Sequence, residues 1–265
     1  MYATNYARAA SLDDAVAKMQ AAEDGKFLSG GQTLIATMKQ RLASPSDIID
    51  LTKIPDLKGI TVDGSAVTIG AATTHEEVAS SRDVWRAIPA LGQLAGNIGD
   101  PTVRHMGTIG GVLANNDPAA DYPAAVLALG ATVYTTKGSY AAADYFAGMF
   151  ETALDEDEII TKVSFPIPRK AAYVKFKNPA SRYALASVFV ADTADGPRVA
   201  VSGCGSDGVF RVSAMESALA SDWSPSAVTG VGVDPAAMLS DMHGSAEYRA
   251  HLVSVLAGRA VEAAG

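Results

Sequence analysis

Gly107-Thr108-Ile109-Gly110-Gly111-Val112-Leu113-Ala114-Asn115-Asn116-Asp117-Pro118-Ala119-Ala120-Asp121 is the stretch on which the fold turns. Paired glycines let backbone N–H groups approach an anion closely, and the amides and carboxylates behind them can hold ribose hydroxyls. An earlier segment, Ser29-Gly30-Gly31-Gln32-Thr33-Leu34, repeats the glycine pair. It directly follows the apolar Lys26-Phe27-Leu28, read as a short strand, and precedes helical spacing through Leu34, Ile35 and Met38. That context places unpaired N–H groups and the positive end of a helix at the glycines. Two such segments point to one long anionic ligand.

Around these segments the pattern is mixed. Ser11 is positioned to cap a helix with Asp13 and Asp14 in its first turn and Gly25 at its end. Ile48-Ile49-Asp50-Leu51 reads as a strand, closing a βαβ-like unit. Asp63-Gly64 between the alternating runs Ile60/Val62 and Val67/Ile69 predicts a hairpin. Thr74 should cap a helix carrying Glu76 and Glu77, and a further helix is expected over Trp85 to Leu94. Pro118 and Pro123 limit regular helix before the apolar stretch from Ala124 to Leu129. Strands follow near Thr132–Tyr134 and Ile159–Phe165, and Pro166 and Pro168 mark a boundary. Beyond it, strands near Tyr173–Phe176, Ala184–Ala191 and Arg198–Ser202 precede a helix over Ser245–Ala264. The reading is α+β, divided into an N-terminal α/β subdomain at 1–57, a second α+β subdomain at 58–168 and a C-terminal α+β domain at 169–265.

Composition narrows the function. Acidic residues outnumber basic ones, 29 to 21, and the cations are scattered, which argues against nucleic acid as a partner. No apolar run reaches the length of a transmembrane segment, and the first residues lack a signal core, so a cytoplasmic protein is expected. The single Cys204 excludes a multi-cysteine iron–sulfur site, and His75, His105, His243 and His251 show no metal-ligand spacing. Surface or locally hydrogen-bonded histidines are the expectation, with no metal site. Gly203-Cys204-Gly205-Ser206-Asp207-Gly208 spells G-x-G-x-x-G, yet no second strand ending in an acidic residue follows at about 20 residues, so it reads as a turn between strands. Phe210, Val212 and Met215 after it have strand-compatible spacing. The run Asp155-Glu156-Asp157-Glu158 reads as a solvated face. Nothing marks a nucleophile or a general acid–base pair.

Three ordered segments carry a resemblance: Ser29–Leu34, Thr108–Gly111 with Asp117–Asp121 behind it, and Tyr173-Val174-Lys175-Phe176-Lys177-Asn178-Pro179-Ala180-Ser181-Arg182-Tyr183-Ala184. With Asp241–Arg249 before the last helix, the chain resembles the FAD-binding medium subunits of the xanthine oxidase and carbon monoxide dehydrogenase family of molybdenum hydroxylases. The resemblance implies an FAD-binding fold of the vanillyl-alcohol oxidase (PCMH) type in two subdomains. A C-terminal domain of the CO dehydrogenase flavoprotein type would follow it. It further implies that Ser29, Gly30, Gly31, Gln32, Thr33 and Leu34, with Thr108, Ile109, Gly110 and Gly111, surround the FAD pyrophosphate. Asp117 joins the cofactor-binding set, and Asp121 would bond the polyol or ribose. Lys175 and Tyr183 would lie near the flavin, with Lys177 as the alternative lysine. Where the family often has Asp before the aromatic residue, this chain has Arg182.

By the same resemblance, a large molybdopterin-binding subunit oxidises the substrate. A small subunit with [2Fe–2S] clusters passes the electrons here, and a soluble acceptor takes them onward. The assembly would be a heterotrimer or heterohexamer. A self-contained flavin oxidase or reductase, or a non-redox nucleotide-binding assembly module, stays open beside it.

Overall fold

The computed structural model describes residues 1–265. Strand β1 (Asn5–Arg8) leads into α1 (Leu12–Ala21), where the Ser11 side chain accepts from the Asp14 N–H. The helix stops at Ala22 rather than Gly25, and Gly25 opens β2 (Gly25–Leu28). A Cβ at Gly25 would stand 2.6 Å from Met19 Sδ and 3.0 Å from Ala22 Cβ, so a side chain there would require the end of Met19 to shift. After the first glycine segment come α2 (Leu34–Lys39) and β3 (Asp47–Asp50). β3 lies between β1 and β2, parallel to both, with Ile48 and Ile49 buried. Nothing in Asn5-Tyr6-Ala7-Arg8 signals a strand; its partner β3 imposes that state.

The Asp-Gly hairpin joins β4 (Ile60–Val62) to β5 (Ala66–Gly70), its turn held by Asp63 Oδ1, which accepts from the N–H groups of Ser65 and Ala66. Thr74 and Glu77 form a reciprocal capping box over α3 (His75–Ser80). The single helix expected over Trp85–Leu94 is two, α4 (Arg82–Ala87) and α5 (Pro89–Gly96). Pro89 keeps Ile88 out of the helical region and lacks an N–H, so the chain breaks and restarts. An unanticipated α6 (Pro101–Met106) begins under an Asp100 cap.

The second glycine segment is a helix start rather than an open loop. Thr108 caps α7 (Ile109–Asn115), which puts Gly110 and Gly111 in its first turn, and Asn116 ends it in the left-handed region at φ 42°. The apolar stretch is α8 (Tyr122–Leu129), extended ahead of Ala124 because Pro123 sits in a first turn where no N–H is needed. Next come β6 (Thr132–Thr135), β7 (Ser139–Ala141), α9 (Ala142–Tyr145), β8 (Phe146–Gly148), β9 (Glu151–Thr152) and β10 (Ile160–Pro166). β10 enters the middle of an antiparallel five-stranded sheet of order β4-β5-β10-β6-β7.

The remaining chain builds an antiparallel sheet, β11 (Lys170–Lys177), β12 (Ala184–Thr193), β13 (Gly196–Ser202) and β14 (Phe210–Arg211), then α10 (Ser213–Ser221), α11 (Pro225–Thr229) and α12 (Ala246–Ala264). Gly203–Gly208 is the turn between β13 and β14, with Gly203 and Gly208 at φ 91° and 97°. Of the residues beyond it, Met215 belongs to α10, not to a strand. α12 covers one face of β11 and β12, while α8, buried at every residue, packs against β12 and β13 from the other side. A helix apolar all round needs cover all round, and the C-terminal sheet supplies it. No helix is long and apolar enough to cross a membrane.

Asn116 clamps the β8–β9 hairpin. Its Nδ2 donates to Gly148 O and Glu151 O, both at 2.8 Å, while its own carbonyl accepts from Phe150 N–H. Asn116→Ala strands two carbonyls and forces a Cβ-bearing residue without local hydrogen bonding into the left-handed region, an expected loss of about 3 kcal/mol. Urea denaturation checks it, with Asn115→Ala as the near-neutral comparison.

Candidate functional site

A cleft of about 1260 Å³ is lined by residues of the parallel sheet's loops, of the segments from Ala71 to Ile160 and of the C-terminal sheet. It exceeds the range of about 300–1,000 Å³ usual for small ligands and suits an elongated one. Both glycine segments line it, together with Asp117, Asp121, Lys175 and Tyr183. Ile109 does not: its side chain is fully buried in the core, so only its neighbours face the cleft.

The two segments meet directly. Ser29 Oγ and Thr108 Oγ1 are 2.8 Å apart, and a Cβ on Gly30 would stand 2.1 Å from the Met106 carbonyl oxygen and 2.7 Å from Gly107 Cα. Gly31 takes φ 70°. Between β2 and α2 the N–H groups of Gly30, Gly31, Gln32, Thr33 and Leu34 have no acceptor within the chain. Successive unpaired N–H groups at a helix start form an anion cradle. The first segment therefore fits a phosphate chemically and sterically.

The second segment contributes differently from its sequence reading. Ile109 N–H donates to Thr73 O, Gly110 N–H to Ala71 O at 2.9 Å, and Gly111 N–H to Thr108 Oγ1 at 3.1 Å. Its glycines serve packing: a Cβ on Gly110 would lie 2.6 Å from Ala71 Cβ. The Thr108–Gly111 turn thus forms a wall rather than a second N–H cradle. Asn116 is spent on its hairpin, whereas Asn115 and Asp117 line the cleft.

At the C-terminal sheet, Lys175 Nζ lies 2.9 Å from Asp121 Oδ1 and 3.3 Å from the Asn97 carbonyl, and the lysine side chain is 2% exposed. Tyr173 donates its hydroxyl to the same carboxylate. Burial raises the Asp121 carboxyl above its ordinary value, and Lys175 and Tyr173 pull it back by favouring the charged form. Asp121, expected to bond a polyol or ribose, lines the cleft and holds the Lys175 cation. Lys177, the alternative lysine, is exposed at the strand end and does not line the cleft. Tyr183 is half exposed, on a turn closed by Asn178 and Tyr183 backbone bonding with Arg182 at φ 63°.

Several lining residues carry no sequence signal as ligands. The Asp155–Glu158 run, expected to be solvated, borders the cleft; Asp157 accepts from Gln20 Nε2 of α1, and buried Glu158 accepts from Tyr140 and Thr135. Ile98, Gly99 and Asp100 line it from the link between α5 and α6. His75 lines it as well, against the expectation of a surface or locally bonded histidine. It is buried, its Nδ1 has no partner, and burial with the nearby Arg104 cation pushes it down to about 4.

The model of the FAD-binding domain in molybdopterin dehydrogenases matches residues 2–168. The chain belongs to that family. FAD is its cofactor, and it is an oxidoreductase subunit of the molybdenum hydroxylase medium-subunit group. It is 37% identical to the nicotine 6-hydroxylase medium subunit of Paenarthrobacter nicotinovorans, covering 99% of this chain and 98% of that one. It is 36% identical to the carbon monoxide dehydrogenase medium chain of Afipia carboxidovorans, covering 98% and 96%. Among solved structures, a chain of the reconstituted CO dehydrogenase of Oligotropha carboxidovorans superposes with TM-score 0.89 at 32% identity, covering 99% and 98%. Quinoline 2-oxidoreductase of Pseudomonas putida 86 matches at TM-score 0.88 and 25% identity, covering 99% of this chain and 97% of that one.

Gly30→Ala is expected to lower flavin affinity by roughly tenfold or more, because the loops must part to admit the methyl. Gly111→Ala, whose Cβ would meet Thr108 Oγ1 at 3.0 Å and Ser29 Cβ at 3.9 Å, retains much more; the flavin-to-protein ratio after purification separates them. A pH effect follows from His75. The unfolded chain protonates it near 6.5 and the folded chain near 4, so the FAD-free protein loses stability as pH falls between those values. The expected loss is about 3 kcal/mol, constant below the lower value, and His75→Gln removes that component from stability curves measured against pH.

Proposed function

We propose that this chain is the electron-relay subunit of a molybdenum hydroxylase. It takes electrons from [2Fe–2S] clusters on a small partner and delivers them to a soluble acceptor, while a large molybdopterin-binding partner oxidises the substrate. The observation that carries this reading is the elongated cleft whose unpaired N–H run, Gly30–Leu34, fits a pyrophosphate in a chain of this family. Relatives bearing the names medium subunit and medium chain support the division of labour. So does Cys204, the lone cysteine, buried in the C-terminal core with its thiol pushed up to about 12 and unsuited to ligating a cluster.

FAD, when bound, supplies a redox centre able to exchange electrons with both one- and two-electron partners. The chain's own residues hold and surround it. The Gly30–Leu34 N–H groups bind the pyrophosphate, the Thr108–Gly111 turn walls it, and Lys175, fixed by Asp121, sets a buried positive charge where the flavin end would lie. Tyr183 covers that end from the solvent side. We assign 1–57 and 58–168 as the two FAD subdomains and 169–265 as the domain that adds Lys175 and Tyr183. The cytoplasm is the proposed compartment for all three subunits.

The FAD-loaded chain alone is expected to keep its flavin absorbance when offered aldehydes, purines or other N-heteroaromatics anaerobically. Adding the large and small subunits of the same complex, with the substrate of that complex, should bleach it. Bleaching by an organic substrate without partners would favour a self-contained flavin enzyme and overturn the relay.

A further inference from the structure

His75 and Tyr122 present two polar atoms that the fold leaves unsatisfied. His75 Nδ1 and the Tyr122 hydroxyl are both sealed from solvent, neither has a hydrogen-bond partner, and the two rings pack with centroids 5.5 Å apart. A buried donor without an acceptor is costly, whereas an unfilled lone pair on a neutral imidazole costs less. With no acceptor in reach of Nδ1, the proton belongs on the other nitrogen, Nε2. That nitrogen is also the edge through which His75 reaches the cleft, since Nδ1 is the sealed one.

The position of this edge is informative. His75 Nε2 lies 2.7 Å from where a Cβ on Gly107 would sit, and Gly107 Cα in turn lies 2.7 Å from where a Cβ on Gly30 would sit. The ring therefore opens beside the crossing of the two segments, next to the start of the unpaired N–H run. The backbone N–H of His75 donates to Gly107 O, and burial, helped by the nearby Arg104 whose guanidinium pairs with Glu76 at 3.0 Å, keeps a second proton off the ring. Thr74 bridges to Thr108, so the backbone that carries His75 is tied to the segment it faces.

We infer that His75 is a cofactor-positioning residue, its neutral ring donating from Nε2 to an oxygen acceptor in the ribityl-pyrophosphate stretch of FAD. The inference rests on the FAD reading above and adds to it a donor outside both glycine segments. A neutral donor also fixes the ligand's depth without adding charge to a site where Lys175 already supplies the cation.

The test uses the full-length FAD-free chain, with its four histidines ¹⁵N-labelled and His75 assigned through the His75→Gln spectrum. At neutral pH the ring should carry its proton on Nε2, and FAD should move the Nε2 resonance. ADP, which has the pyrophosphate, and riboflavin, which has the ribityl chain, identify which oxygen is met by which of them also moves it. In parallel, His75→Phe should weaken FAD binding by about fivefold to tenfold, the worth of one neutral hydrogen bond. His75→Gln, whose amide nitrogen reaches the Nε2 position, should restore most of that, and His75→Asn, which reaches only the Nδ1 position, should not. A proton on Nδ1, an Nε2 resonance unmoved while flavin absorbance reports binding, or a Gln variant no better than Phe overturns the inference. A folded wild-type chain that leaves FAD unbound overturns the proposed function beneath it instead, so the two failures are distinct.

Discussion

The approach of Gly30 to the Met106–Gly107 backbone is the constraint from which the site follows. A carbonyl oxygen stands 2.1 Å from the place of a side chain, so the first segment can reach the second only as bare backbone. That contact, with the Ser29–Thr108 hydrogen bond, joins elements 79 residues apart. It bends the chain through a left-handed Gly31 and leaves the following N–H groups facing the cleft, with no internal acceptor in reach. The unpaired donors cost little while water reaches them and become favourable when an anion replaces that water.

A second tie brings in the C-terminal sheet. The buried Lys175–Asp121 pair, with Tyr173 on the same carboxylate and Asn97 O on the ammonium, connects β11 to the start of α8 and to the end of α5. Buried ion pairs are weak sources of net stability, because desolvation offsets most of their attraction. Removing either partner is nevertheless costly, so the pair acts chiefly to hold one arrangement. Its consequence is positional: a strand beyond the family-matched residues 2–168 places a cation in the cleft wall. Arg249, bonded to Leu185 O of β12, Gly203 O and Asp241, anchors α12 to the same sheet.

Features written in short-range chemistry were legible. The Ser11 cap, the Asp63-Gly64 turn and the Thr74 capping box depend on neighbours a few residues away, and each stands where its residues indicate. Features settled by distant partners were not. β1 is a strand because β3 lies beside it, and α8 can be apolar at every residue because β12 and β13 cover it. The break at Ile88 is encoded in Pro89, although the apolar spacing runs through it. The G-x-G-x-x-G at Gly203–Gly208 shows the limit of a motif without context: the same spelling makes a turn when a strand, not a helix, follows it.

The same division holds for the site. The ordered segments in the sequence carried the family resemblance and with it the cofactor class, and the glycine pairs marked two segments that line the cleft, because close backbone approach is a local requirement. Tertiary structure alone decided what each group does there. Whether an N–H is free or already bonded to Ala71, whether Asp121 meets a ligand or a lysine, and whether His75 is solvated or sealed all depend on what another part of the chain brings within about 3 Å. Hydrogen bonds and ion pairs have that short reach, and only the folded chain sets which residues fall inside it.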